Sequence, residues 1–457
     1  MDWSPTIDAA DGPVYEGIVE ALDRDIASGR LRRGQRLPTH RALARTLGVD
    51  LTTVTRAYNE ARRRGLTDAR VGQGTFVAES RSRPVRATAG IAIDLSMNLP
   101  PQPIEADLEG RISRGLATLQ RDHGLSEFLN YQYAGGSDAD RSTAAQWLRR
   151  RVRTSEADRL LVAPGTQTTL TALLLATTSP GDVVLVDRLT YPGFKTAAAA
   201  LGVRLVGVEA DGEGMIPEAL AEAAQRHRAK AVYLIPTMHN PTMLTIGTKR
   251  REDLAATIRR CDLLLFEDDA YGCLDPKAQP IAVLIPERSY LAVSLSKCIT
   301  PGLRVSFLLT PDRAAAAALA NAIRTVAQMP VPLMVALVVR WLIDGSADAI
   351  VSAITAEAAA RQRLAAKALS GYNYHAHPKG LHVWLALPPA WTRAEFAAHI
   401  QRQGLAVVTS DSFSVDDHPE HAIRIALGAA RSRSDLVVAL DLLTTALRSP
   451  TYASRIV

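Results

Sequence analysis

The run DLLLFEDD (residues 262–269) places four consecutive apolar residues, Leu263 to Phe266, directly before three acids, Glu267, Asp268 and Asp269. A strand that is apolar on both faces is buried on both faces, as in a parallel sheet covered by helices. Similar runs lie on either side: LLVAP (160–164), DVVLVD (182–187), RLVGVE (204–209), KAVYLIP (230–236) and YLAVSLSK (290–297), separated by stretches of helical pattern. This alternation predicts an α/β body with a mainly parallel sheet. In such sheets ligands collect at the carboxyl ends of the strands, where the polar residues gather here.

A chain of 457 residues is long enough for a small module and a large domain. Its 47% hydrophobic and 22% charged residues form an ordinary soluble balance, and no apolar run approaches the ~20 residues of a membrane span. The opening MDWSPTIDAADGP lacks a basic segment followed by an apolar one, so no signal peptide and a cytoplasmic location are expected. Cys261, Cys273 and Cys298 show neither CxxC nor zinc spacing and read as packing residues, with no metal site. Between Gly12 and Arg83 stand fourteen Arg, no Lys and eight acids, an excess of six positive charges that equals the +6 of the whole chain. A basic module on a neutral body is the electrostatic footprint of a nucleic-acid binder.

Within that module Tyr15, Ile18, Val19, Leu22 and Ile26 form one helical stripe. Thr39 can cap a short helix with Leu43, Ala44 and Leu47 inward and Gly48 as its stop. Asp50 can cap a third, with Val54, Ala57, Tyr58 and Ala61 inward and Gly65 at its end. Two helices across a Gly48-Val49-Asp50 turn make a helix-turn-helix, and RVGQGTFV (70–77) reads as a glycine-tipped hairpin, or wing. The stretch GRLRRGQRLPTHRALARTLGVDLTTVTRAY (29–58), followed by RGLTDARVGQGTFV (64–77), resembles the winged helix of the GntR regulator family. That resemblance implies contacts to double-stranded operator DNA from Thr39, Arg41, Thr52, Thr53 and Gly74. Asp50, Leu51 and Thr55 depart from the family's usual Ser or Thr and two Arg. Arg56 and the Arg62-Arg63-Arg64 run could supply phosphate contacts instead. The module is expected over 12–78, a linker rich in Ser, Arg, Ala and Pro over 79–92, and the body over 93–447.

A pyridoxal 5′-phosphate site needs a lysine, an acid for the pyridine nitrogen, a donor to the phenolate oxygen, phosphate donors and a stacking surface. Each has a candidate at a strand end, with Asp268 closing one strand and Lys297 another. SLSKCITPGLRVSF (294–307), EDDAY (267–271), HNP (239–241), APGTQ (163–167) and TYPG (190–193) together resemble the fold-type I aminotransferases. The resemblance implies Lys297 as the Schiff-base residue, Asp268 at the pyridine nitrogen, Asn240 and Tyr271 at the phenolate and Tyr191 stacked on the ring. For the phosphate it implies Gly165, Thr166 and Gln167 at a helix start, with Ser294, Ser296 and Arg304. Arg424, in IRIALG (423–428), matches the arginine that pairs with an α-carboxylate, and Tyr131 resembles the tyrosine that reaches a partner subunit's phosphate, with Tyr133 close by. It further implies a homodimer and a smaller C-terminal α+β subdomain.

A GntR-type winged helix joined to such a body is the architecture of the MocR regulators. What this resemblance implies is a regulator in which a small amine or amino acid displaces Lys297 to form an external aldimine and so alters operator affinity. Two alternatives stand beside it: a regulator that senses pyridoxal phosphate itself, and a working aminotransferase with an appended DNA-binding domain.

Overall fold

The computed structural model describes residues 3–5, 14–32, 34–63, 66–70, 74–77, 93–153, 155–416 and 418–448. The expected linker, the wing tip Val71-Gly72-Gln73, the helix stop Gly65 and Arg64 lie outside the described residues. The chain divides into two compact units, Met1–Ala89 and Gly90–Val457.

In the first unit three helices, α1 (Val14–Ala27), α2 (His40–Leu47) and α3 (Leu51–Arg63), precede an antiparallel pair, β1 (Thr67–Arg70) and β2 (Gly74–Val77). The caps are those the sequence indicates. Thr39 Oγ1 accepts from the Ala42 amide at 3.3 Å, Gly48 closes α2 at φ 64°, and Asp50 Oδ1 accepts from the Thr52 amide at 2.7 Å. Ile18, Val19, Leu22, Leu43, Val54, Ala57 and Tyr58 form one core, as their spacing requires. Trp3, upstream of the expected boundary, also packs into it and donates its indole N–H to Asp25 at 2.8 Å.

The second unit is the expected α/β fold. Its seven-stranded sheet has the order Leu160–Ala163, Ser306–Leu309, Ser289–Ser294, Leu264–Asp269, Ala231–Leu234, Val183–Asp187, Arg204–Val208. All neighbours pair in parallel except at Ser306–Leu309, which runs antiparallel to both of its partners. The last strand before the lysine stops at Ser294, so Lys297 stands on the turn beyond it and does not itself end the strand.

The C-terminal subdomain packs a four-stranded antiparallel sheet against helices Arg393–Arg402 and Arg433–Arg448. In that sheet His382–Ala386 lies between Tyr374–Ala376 and Ala422–Ala426, and Val408–Thr409 is the far edge. Ile93–Asp94, at the start of the body, pairs in parallel with Leu405–Ala406 of this subdomain. No helix among the described residues is long and apolar enough to cross a membrane.

Candidate cofactor site and nucleic-acid interface

The three acids that close strand Leu264–Asp269 have separate fates. Glu267 accepts from the amides of Ile281 (3.1 Å) and Ala282 (2.7 Å), and burial pushes its carboxyl up to about 7. Asp269 forms a two-pronged, fully buried ion pair with Arg151 at 2.6 and 2.7 Å, a fork that fixes both side chains. Asp268 lies between them in sequence and faces a cavity. Its Oδ2 accepts from the Tyr233 hydroxyl at 2.9 Å, and its Oδ1 is buried without a partner. Burial raises the Asp268 carboxyl to about 7, opposed by the Tyr233 hydrogen bond and, more weakly, by the charge of Lys297. An orphaned carboxylate oxygen is costly unless something donates to it.

The cavity brings together every expected cofactor residue except Gly165: Thr166, Gln167, Tyr191, Asn240, Asp268, Tyr271, Ser294, Ser296, Lys297 and Arg304 line it. Gly165 sits at its edge for a steric reason. At φ +86° it caps the helix Thr166–Thr177, and a Cβ there would stand 2.8 Å from the Arg304 guanidinium. Thr166 Oγ1, at the first turn of that helix, is buried without a partner. A helix start with free amides, an unpaired hydroxyl and an arginine is an anion cradle. Gln167 donates to the Gly193 carbonyl at 2.8 Å, which ties the helix start to the loop carrying Tyr191.

Lys297 Nζ donates to the Asn98 carbonyl at 2.6 Å. Burial, reinforced by the nearby Arg424 charge, lowers its ammonium to about 8. Asn98 Nδ2 donates to the Tyr271 hydroxyl at 2.7 Å and lies 3.0 Å from His382 Nδ1. The other nitrogen of His382 faces the Pro241 carbonyl at 3.0 Å, and burial drives this imidazole well below its ordinary value. Arg424 donates to Asn240 Oδ1 (2.9 Å) and to the Ser96 carbonyl (2.6 Å) while its Nε is buried without a partner. The guanidinium stands 5.0 Å from the Phe413 ring centroid. Tyr131 is 83% exposed and Tyr133 44%, and neither lines the cavity. Tyr233, Asn98 and His382 hold the site together through bonds spanning 35, 173 and 284 residues of sequence.

On the first unit Thr39, Arg41 and Thr52 are exposed, Thr53 is half-buried, and Gly74 holds φ +115° beside the Arg36 guanidinium. Both capping oxygens sit at the starts of α2 and α3, where an approaching phosphate would meet the helix ends. Arg56 lies across the Tyr15 ring at 4.0 Å, a stack that holds its guanidinium against α1. Asp50, kept below its ordinary range by its bonds to Thr52, places a negative charge at the start of α3.

Residues 14–77 match the bacterial regulatory proteins of the gntR family, and residues 93–443 match aminotransferase class I and II. The chain belongs to the regulators of the MocR architecture. A regulator of Bacillus subtilis (strain 168), the uncharacterized HTH-type transcriptional regulator YdeF, is 30% identical over 452 residues, 97% of this chain and 96% of that one. The vitamin B6 salvage pathway transcriptional repressor PtsJ of Salmonella typhimurium is 29% identical over 94% of this chain and 98% of its own. LysN, an alpha-aminoadipate aminotransferase of Thermus thermophilus, has the same fold in the body, with a TM-score of 0.71 at 24% identity, covering 79% of this chain and 92% of that one. The present chain is thus a transcription regulator with an aminotransferase-like domain, and its winged helix is the DNA-binding part.

Proposed function

We propose that this regulator binds pyridoxal 5′-phosphate at Lys297 and uses it to sense a small amine, with an amino acid favoured. The observation that carries the reading is the unpartnered Oδ1 of Asp268, buried across the same cavity from Lys297. Bound there, the cofactor supplies an aldehyde that condenses with amines and a ring that draws electrons once its nitrogen is protonated. The orphaned oxygen fits that protonated nitrogen. Thr166, the amides of its helix and Arg304 fit a phosphate, and Tyr191 offers a ring face.

The chain's own residues then divide the work. Lys297 is kept largely unprotonated by burial once the pH passes about 8, so its lone pair is available for bond formation closer to neutrality than an ordinary lysine's. Asn98 holds the Tyr271 hydroxyl and, through its carbonyl, the Lys297 amine. Arg424 offers a guanidinium to a carboxylate, at the expense of its bonds to Asn240 and Ser96, so ligand capture exchanges one set of hydrogen bonds for another. That exchange is the differential interaction a sensor requires. The homodimer implied by the resemblance would bring the exposed Tyr131 of each chain toward its partner. As a DNA-bound regulator the chain acts in the cytoplasm.

The test is an absorption spectrum of the wild type and Lys297→Ala, titrated with amino acids and coupled to binding of the chain's own upstream DNA. A visible cofactor band lost in the variant, with operator affinity shifted by one amine and no keto acid accumulating, supports the sensor. Sustained keto-acid formation with unchanged operator affinity overturns it in favour of an aminotransferase. A second reading, that the cofactor is itself the signal, draws on the full-length similarity to PtsJ and requires operator affinity to follow cofactor loading alone.

A further inference from the structure

Two of the three cysteines stand 25 residues apart in the chain, a spacing that carries no signal, yet the sheet brings them together. Strands Leu264–Asp269 and Ser289–Ser294 are parallel neighbours, so the turns that follow them leave the same end of the sheet side by side. Cys273 stands four residues beyond the first strand and Cys298 four beyond the second. Their thiols are in hydrogen-bonding contact, and Cys298 Sγ lies 3.4 Å from the Ser294 carbonyl oxygen. Cys261 packs in a separate apolar cluster.

The two thiols differ in access. Cys298, directly after Lys297, is fully buried. Contact with Cys273, and then burial, raise its thiol well above the ordinary value, so it stays protonated near neutral pH. Cys273 is half-buried and lines a cleft of about 560 Å³ between helices Asp138–Leu148 and Ser346–Ala368. Arg151 fixes the loop that presents it. Besides its buried pair with Asp269, Arg151 donates to the Asp275 carbonyl at 3.4 Å, and Gly272 leaves room for its guanidinium by lacking a Cβ. A thiol open to a cleft and touching a buried one is poised for oxidation at the first and resolution by the second.

We propose that Cys273 and Cys298 form a reversible dithiol site that reacts with hydroperoxides entering by this cleft, and that its disulfide state repositions Lys297. In the first step the peroxide O–O bond breaks as the Cys273 sulfur takes one oxygen, which gives a sulfenic acid and, from hydrogen peroxide, one water. In the second the Cys298 sulfur bonds to that of Cys273 and the S–O bond breaks. The hydroxyl leaves with the Cys298 proton as a second water. The two thiols together lose two electrons and the peroxide gains them. Closing the bond draws Cys298, and with it the turn bearing Lys297, toward the loop that carries Tyr271. In a reducing compartment such a bond is transient, which suits a signal and not a structural staple.

The test adds hydrogen peroxide in slight excess to the full-length, cofactor-free chain, blocks the remaining thiols and reads the digest by mass spectrometry. An intrachain cross-link between the Cys273 and Cys298 peptides is expected, reversed by dithiothreitol, with Cys261 left free. In Cys298→Ser, Cys273 is expected to stop at the sulfenic acid and to be trapped by dimedone. Reductive methylation of Lys297 by formaldehyde and cyanoborohydride, which spares disulfides, is expected to run at least threefold slower in the cross-linked chain than in the reduced one. Neither readout needs the cofactor, so the outcome is separate from the cofactor reading, and the wild type alone decides it even if the variant does not fold. Cys273 left unmodified, a cross-link through Cys261, a sulfenic acid that never closes, or an unchanged Lys297 rate in the cross-linked chain overturns the proposal.

Discussion

Lys297 and Asp268 face one cavity with opposite needs, because burial penalises the charge of each. For Lys297 the shift is downward, to about 8 from an ordinary 10.5. The rate at which cofactor attaches to the cofactor-free chain is therefore expected to climb through pH 8 and level off above it. A rate still climbing toward 10.5 in stopped-flow absorbance would show that burial does not activate this amine. For Asp268 the shift is upward, to about 7, and Glu267 behind it shares that value. Between the ordinary carboxylate range and pH 7 the folded chain holds protons that the unfolded chain has released, so the cofactor-free protein loses stability as pH rises across that interval. Asp268→Asn is expected to reduce that slope in thermal unfolding, with Glu267 accounting for what remains. Tyr233 donates to Asp268 and holds its carboxyl down. Tyr233→Phe removes a bond of the charged class, about 1.5–3 kcal/mol, and is expected to weaken cofactor binding by roughly tenfold or more in equilibrium titration. Lys297 and Asp268 drew attention through their place after apolar strands and Arg304 through the resemblance alone, and all three line the cavity. Tyr233 drew none, since in AVYL it reads as one more buried strand residue, and the carboxylate it serves comes from another strand.

Elements whose signals are local formed as expected. The caps at Thr39, Gly48 and Asp50 bound α2 and α3 because capping depends on a few neighbouring residues. Strand Ser306–Leu309 went unread: four residues without a polar alternation are indistinguishable from buried helix, and its antiparallel direction is set by partners far away in sequence. Trp3 was equally silent, since a lone aromatic upstream of the first stripe has no period. The glycine turn before helix Thr166–Thr177 is a case where backbone and side chain meet. Gly165→Ala adds a Cβ 2.8 Å from Arg304 at a positive φ, and is expected to displace the guanidinium and weaken inorganic phosphate competition against cofactor at least severalfold. In the DNA-binding unit, Thr39→Ala removes the cap of α2 and is expected to cost about 1 kcal/mol of that unit's stability in chemical denaturation. Asp50→Asn keeps an acceptor for Thr52 while removing a negative charge from the start of α3, where the resemblance to the GntR winged helix expects DNA, so operator affinity is expected to rise severalfold at low salt in a fluorescence-anisotropy titration.

Across the whole molecule, charge and chemistry are divided between two units: the Arg-rich stretch lies within residues 12–83, and the buried groups that serve the cavity lie beyond residue 93. The body's division into main sheet and C-terminal subdomain came with the resemblance to fold-type I aminotransferases, whereas the route by which its first strand enters did not. Ile93–Asp94 is stitched to Leu405–Ala406, and the next residues supply the carbonyls that hold the two reactive cations, Ser96 for Arg424 and Asn98 for Lys297. The segment that continues from the linker is thus pinned at one end by a strand pair and along its length by the two side chains that a ligand would claim. A ligand that drew both cations away, as proposed, would leave those two carbonyls without these donors, so the body's first six residues are held by the same side chains that the ligand would take.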